Sequence, residues 1–212
     1  MKSRVVIVDI GCGNIGAVAN MLRGVCDHVG IGTTAEHIVK ADKILLPGVG
    51  AFDNVASSFR KAAVSEPVMA GIAAGKPFLG ICVGMQLLAD SSAEGSEPGL
   101  GLVPGACERI PSGQAAPPGF PIRSLPVPHM SWNEIRVEGR HPLLDGLEGA
   151  RFYFVHSYHV RPFDRRHVIA ETDYGLALAA VIGRDNVLGV QFHPEKSHKF
   201  GMKLLDNFCN RV

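Results

Sequence analysis

Two short stretches carry residues that could do covalent chemistry. In the first, Cys82 lies in Gly80-Ile81-Cys82-Val83-Gly84, with a glycine two residues away on each side. The apolar run Pro77 to Ile81 has the length of a buried strand, and Met85, Leu87, Leu88 and Ala89 read as the apolar face of a following helix. Strand, nucleophile and helix in that order make the thiol form of the G-x-S-x-G elbow. There a sharp, strained turn lifts the nucleophile above a sheet, and glycines let neighbouring backbone come close. The free N–H groups and dipole at the start of the helix would favour thiolate. Taken alone, the pattern also fits a buried cysteine in an ordinary turn.

The second stretch is Val190-Gln191-Phe192-His193-Pro194-Glu195, a strand that ends in His-x-Glu. Side chains two apart on extended backbone point to the same side. Glu195 could then hold one ring nitrogen of His193 and leave the other for a thiol. Cys82, His193 and Glu195 together supply a nucleophile, a base and the group that orients the base. A nucleophile that attacks a carbonyl also needs donors for the developing oxyanion. The amide of Val83 is one, and the turn Pro47-Gly48-Val49-Gly50 offers a second, because its glycines let a peptide turn its N–H toward the site.

The other candidate chemistries are weaker. His156 and His159 are three apart and His193 and His198 five apart, with neither H-E-x-x-H nor C-x-x-C present, so no metal site is expected. Gly11-Cys12-Gly13-Asn14-Ile15-Gly16 fits G-x-G-x-x-G, but the acidic residue a dinucleotide needs further on is not clearly placed. No cofactor is expected. The formal net charge is +1, from 21 basic and 20 acidic residues, which gives no electrostatic footprint for nucleic acid or an anionic membrane. Five cysteines at irregular spacing do not make a disulfide framework. Cys12, Cys26, Cys107 and Cys209 read as packing or surface residues, and a reducing cytoplasm is the expected location. Met1 to Asp9 is too short for a signal peptide or a membrane span.

These groups need a scaffold, and 212 residues suit a single domain, 1–212. Arg4 to Ile10 and Lys43 to Leu46 read as central parallel strands and Asp27 to Ile31 as a shorter one. Helices are expected over Ile15 to Val25, Phe52 to Ala63 and Pro67 to Ala74. That alternation argues for an α/β fold with a doubly wound, mostly parallel sheet flanked by helices and a flavodoxin-like core. Ser91 to Pro128 is rich in Gly, Pro and Ser, and Pro111 to Pro121 reads as a mobile surface loop. Strand-like runs then follow at Asn133 to Val137, Arg151 to Ser157, Val168 to Glu171, Leu176 to Ile182 and Val187 to Phe192. With a turn at Gly183 to Asn186, they add antiparallel strands in the C-terminal half. Ser197 to Asn210 closes the chain as a helix, with Ser197 as N-cap.

At this point the chain resembles a known family. G-I-C-V-G-M-Q (Gly80 to Gln86) with His193-Pro194-Glu195 is similar to the class I glutamine amidotransferases. Pro47 to Phe52, P-H-M-x-W-N from Pro128 to Asn133, Tyr153 to Tyr158 and Gln191 to Ser197 resemble, within that family, the glutaminase subunits of imidazole glycerol phosphate synthases. The departures are Ser131, where the family usually has glycine, and a long loop near Pro111 to Pro121.

The resemblance implies glutamine hydrolysis by Cys82, His193 and Glu195, with the backbone N–H groups of Val49 and Val83 at the oxyanion. It implies a glutamine pocket at Gly48, Gly50, Gln86, His156, Ser157 and Tyr158. It implies that Asn14, Trp132, Tyr153 and Lys196 face a (β/α)8-barrel cyclase subunit. That partner would use the ammonia to make imidazole glycerol phosphate and AICAR in histidine biosynthesis. The competing expectations are the glutaminase of a pyridoxal phosphate synthase, a free-standing γ-glutamyl hydrolase, and a non-catalytic regulator.

Overall fold

A computed structural model describes residues 3–115 and 124–212. The chain runs through β1 (Arg4–Val8), α1 (Ile15–Arg23), β2 (His28–Gly32), α2 (Ala35–Val39) and β3 (Lys43–Gly48). It continues with α3 (Phe52–Lys61), α4 (Ser65–Ala73), β4 (Phe78–Cys82), the single turn α5 (Val83–Gln86), β5 (Ser91–Ser92) and β6 (Gly105–Arg109). The second half contributes β7 (His129–Glu134), β8 (Arg136–Val137), β9 (Arg151–His156), β10 (Tyr158–Pro162), β11 (Val168–Asp173), β12 (Ala177–Arg184), β13 (Val187–Val190) and α6 (His198–Asn210).

The main sheet has eight strands in the order β2-β1-β3-β4-β13-β12-β11-β8. The first five are mutually parallel, and β12, β11 and β8 extend the sheet antiparallel. The expected doubly wound architecture is therefore present, with its antiparallel extension. Covering on both faces explains the unbroken apolar runs: every residue of β3, β4 and β13 is buried. The chain order reverses between β1 and β3, and crevices at such switch points, beyond the carboxyl ends of the strands, are where open α/β sheets bind ligands. β3 ends at Gly48, β4 at Cys82 and β13 at Val190, so those three ends carry both chemical stretches.

Beside the main sheet lie a three-stranded sheet, β10-β6-β5, and an antiparallel pair, β7-β9. The register of that pair puts His129 opposite His156 and Trp132 opposite Tyr153. Neither β6 nor β10 is apparent in the sequence, because neither has a continuous apolar run.

Several boundaries differ from expectation. β3 runs through Pro47 to Gly48 before its turn begins. The helix after Cys82 stops at Gln86, since Leu88 and Ala89 donate to carbonyls three residues back rather than four and tighten the chain into turns. One helical turn has little macrodipole, so the local aid to a thiolate is its free N–H groups. Ser197 sits at the N-cap position of α6 but makes no capping bond. Its Oγ donates instead to the His193 carbonyl at 2.6 Å and accepts from the Tyr153 N–H at 3.0 Å. The expected loop Pro111 to Pro121 falls partly outside the described residues.

The cysteine reading is corrected at one place. Cys26 and Cys209, 183 residues apart, are joined as a disulfide that ties the end of α1 to the end of α6; Cys12, Cys82 and Cys107 are free. A pairing at that separation leaves no spacing pattern to read. Among the described residues no helix is long and apolar enough to cross a membrane.

Candidate active site

Cys82 adopts φ 55° and ψ −113°, a conformation that costs a non-glycine residue roughly 1–3 kcal/mol. The surrounding packing enforces it. A Cβ on Gly80 would stand 2.3 Å from the Gly84 carbonyl oxygen, one on Gly84 2.1 Å from the Leu46 carbonyl oxygen, and one on Gly48 2.7 Å from the Gly84 nitrogen. The three glycines let β3, β4 and α5 press together until the elbow is the only path left. Val83 is the first residue of α5, so its N–H has no partner within the helix and remains a donor beside the sulfur.

β13 brings His193 to the same place. Its Nδ1 lies 2.9 Å from Glu195 Oε1, with the two side chains 4% and 2% exposed. The Ser197 hydroxyl holds the His193 backbone, and the ring is within hydrogen-bonding reach of the Cys82 thiol. Burial opposes a charged ring here, but the hydrogen bonds it donates to Cys82 and Glu195 and their negative charge outweigh it and hold the His193 pKa up at about 9. The imidazolium is the ring's charge state that this geometry favours.

Cys82 and His193 meet at a cavity of about 420 Å³, with Glu195 held against the His193 ring outside its lining. Cys82, Val83 and His193 line its reactive end, while Val49, Gly50 and Gln86 and the segment His156-Ser157-Tyr158 form its walls. Gly48 does not line it and acts as the close-packing position under Gly84. A larger recess of about 850 Å³, around Arg140, His141, Asp145 and Arg211, contains no nucleophile, and Arg211 is paired there with Asp145.

The Pro47–Gly50 turn differs from the simplest oxyanion-hole picture. The Val49 N–H donates to the Cys12 carbonyl at 3.2 Å, so in this conformation it faces away from the sulfur. Gly50 has φ +109°, and a Cβ there would meet nothing within 4 Å. The G-x-G-N loop clamps this turn, because a Cβ on Gly13 would stand 2.8 Å from the Pro47 carbonyl oxygen.

Comparison with known proteins decides the family. The family description "Glutamine amidotransferase class-I" matches residues 6–212. The chain belongs to the class I glutamine amidotransferases. It is 42% identical to imidazole glycerol phosphate synthase subunit HisH 2 of Pseudomonas aeruginosa, over 98% of this chain and all of that one. It is 44% identical to the HisH subunit of Bdellovibrio bacteriovorus, over 95% and 97% of the two chains. Among solved structures it is similar to PurLQS from Thermotoga maritima, with a TM-score of 0.75 at 19% identity over 99% of each chain, a likeness of fold.

In this amidotransferase the four residues expected at a partner surface are near one another. The Lys196 ammonium lies 5.4 Å from the centre of the Tyr153 ring, and Trp132 meets Tyr153 edge-on at 6.0 Å and stacks on His198 at 5.4 Å. Asn14 stands at the start of α1, which packs against the turn carrying Lys196. Met130 is 61% exposed beside them. Ser131, in place of the family's glycine, sits in regular strand pairing opposite Phe154 and donates to Asn133 Oδ1 at 2.6 Å.

Two site residues escape the sequence reading. Glu94 lines the cavity, and its Oε2 accepts the Phe52 N–H at 2.9 Å, which fixes a carboxylate at the rim. It lies in a Gly/Ser-rich stretch with no periodicity to draw attention to it. Gln191 is fully buried, with Nε2 3.9 Å from the Cys82 sulfur and Oε1 accepting from Gln86 Nε2 at 3.2 Å. A polar residue inside an apolar strand, two before His193, was the available signal.

Proposed function

We infer that this amidotransferase is the glutaminase subunit of an imidazole glycerol phosphate synthase. It hydrolyses glutamine to glutamate and ammonia and passes the ammonia to a cyclase subunit in histidine biosynthesis. The observation that carries the reading is Cys82 and His193 at the reactive end of a glutamine-sized cavity, with Glu195 on the far nitrogen of the ring, in a chain whose full-length relatives bear that name.

The Cys82 thiolate attacks the side-chain carboxamide carbon. The Val83 N–H, joined by that of Val49, holds the oxyanion; one such donor is worth roughly 3 kcal/mol, or ~10²–10³ in rate. His193 gives its proton to the departing nitrogen, the C–N bond breaks, and ammonia leaves a glutamyl thioester on Cys82. Water then loses a proton to His193 and attacks the thioester, releasing glutamate and restoring the thiolate–imidazolium pair. Glu195 orients the ring throughout. Glu94 offers a carboxylate to the α-ammonium of glutamine, while Gly48, Gly50, Gln86, His156, Ser157 and Tyr158 shape the pocket.

Ammonia released into water would be protonated and lose its nucleophilicity, so the site opens toward a docked synthase. The exposed Met130 with Asn14, Trp132, Tyr153 and Lys196 forms the docking face for a (β/α)8-barrel cyclase, in the cytoplasm where small-molecule biosynthesis runs. Val49 supports a switch: turning its peptide away from the Cys12 carbonyl completes the oxyanion hole, and Gly50 has the freedom to absorb the rotation.

Cys82→Ala decides the reading. Glutamine-dependent synthesis by the complex is abolished while ammonia-dependent synthesis by the cyclase continues. Loss of both would make Cys82 a structural residue.

A further inference from the structure

We propose that His129 is a positioning residue for the Cys82 sulfur and the glutamine pocket, acting through His156, the Tyr158 carbonyl and the Gln86–Gln191 amide pair. The inference rests on the reading of Cys82 as a glutaminase nucleophile.

The hydrogen-bond directions follow from what each atom can do. The Tyr158 carbonyl only accepts, and it lies 2.9 Å from His156 Nδ1, so that nitrogen carries the proton. Both histidines are buried and neutral, since burial drives their pKa values down to about 3 at His156 and about 4 at His129. His156 Nε2 therefore presents a lone pair, and His129 Nδ1, 3.1 Å away, is the donor to it. Gln86 Nε2 also donates to the Tyr158 carbonyl, at 3.0 Å, which fills both lone pairs of that oxygen. The second N–H of Gln86 goes to Gln191 Oε1. The Gln191 amide is thereby oriented, with its Nε2 toward the Cys82 sulfur.

That orientation matters because an amide can flip. Once any link is lost, Gln191 is free to turn its oxygen, an acceptor, toward a thiolate and repel it. The identity of His129 points the same way. Its ring stacks between Phe154 at 4.8 Å and Tyr174 at 3.9 Å, a slot phenylalanine would fill. Histidine instead leaves Nε2 buried without a well-formed hydrogen bond, with the Asn133 side chain the one polar group among the described residues that acts on the ring besides His156. An unsatisfied buried acceptor is costly, so packing alone does not explain the residue. The gain is the Nδ1 donor that starts the chain.

The test uses the complex with the cyclase and its ligand, measuring glutaminase kcat and KM for the wild type, His129→Phe and His129→Gln. Phenylalanine keeps the ring and removes the donor; glutamine restores an N–H. A hydrogen bond of ordinary worth predicts that kcat/KM falls roughly 2- to 13-fold in His129→Phe, with kcat lowered and KM raised, and that His129→Gln recovers much of it. Wild-type kcat and KM in a folded His129→Phe complex, with only the melting temperature moved, would overturn the positioning role and leave the glutaminase reading standing. A wild-type complex without glutaminase activity would sink that reading and this inference with it. Should His129→Phe fail to fold, Gln191→Met tests the far end: a kcat loss of similar size supports the chain, and wild-type kcat overturns it.

Discussion

Replacing Glu195 with glutamine keeps its shape and removes the charge that faces His193 Nδ1 at 2.9 Å. The rise of His193 from 6.5 to about 9 amounts to roughly 3 kcal/mol in favour of the charged ring. Burial works against that rise, and Cys82 and Glu195 each oppose burial with a hydrogen bond and a charge. A hydrogen bond to a charged group is worth roughly 1.5–3 kcal/mol, and that is what the substitution removes from the charged ring. Its loss disfavours the imidazolium by roughly 10- to 150-fold. The new amide can also donate to Nδ1, which forces the ring proton onto the nitrogen that must accept from Cys82 and lowers turnover further. The assay is iodoacetamide labelling of the isolated chain near neutral pH, read by mass on the Cys82 peptide because Cys12 and Cys107 are also free. The expected result is slowing by about the factor given above, with the melting temperature checked in parallel. A rate and pH profile that superimpose on the wild type would refute the coupling between carboxylate and imidazole on which the mechanism depends.

Gly84→Ala places a methyl 2.1 Å from the Leu46 carbonyl oxygen, between two backbones that cannot yield. Thermal denaturation should show a loss of about 3 kcal/mol or more, and Cys82 labelling should lose its selectivity. Stability against urea should peak near pH 6.5. His193 binds its proton more tightly in the folded chain, so its contribution is fully present below 6.5 and is lost as pH rises through about 9. His129 and His156 bind theirs more weakly when folded, at about 4 and about 3, so each costs stability as pH falls below 6.5 toward those values. Midpoints that rise steadily from acid to alkaline pH would contradict the assignment of His193.

All three proposed catalytic side chains were legible because their geometry is local. Gly80, Cys82 and Gly84 specify an elbow whatever surrounds them, and His193-x-Glu195 needs only extended backbone to bring imidazole and carboxylate together. The parallel half of the sheet was legible because burial on both faces writes itself as unbroken apolar runs, as in Val5–Val8 and Ile44–Leu46. What failed to show depends on partners far along the chain. β6 and β10 are defined by each other, and Glu94 by an N–H at Phe52. Gln191 has its role through Gln86, 105 residues away. The Cys26–Cys209 bond is the extreme case.

The G-x-G-N loop shows why a motif needs its surroundings. In a dinucleotide-binding protein the glycines of the first strand-to-helix turn let backbone approach a pyrophosphate. Here the same closeness serves a peptide. Gly13 lacks a Cβ because the Pro47 carbonyl occupies that space, and the Cys12 carbonyl takes the Val49 N–H. A loop built to approach an anion would offer donors; this one offers an acceptor, and the group it captures is an amide with a prospective role at the oxyanion. The turn after β1 and the turn after β3 are therefore one device. On the proposed mechanism, release of the Val49–Cys12 hydrogen bond would add a second donor for the oxyanion beside Cys82. That arrangement suits an enzyme whose ammonia is useful only when something is docked to receive it.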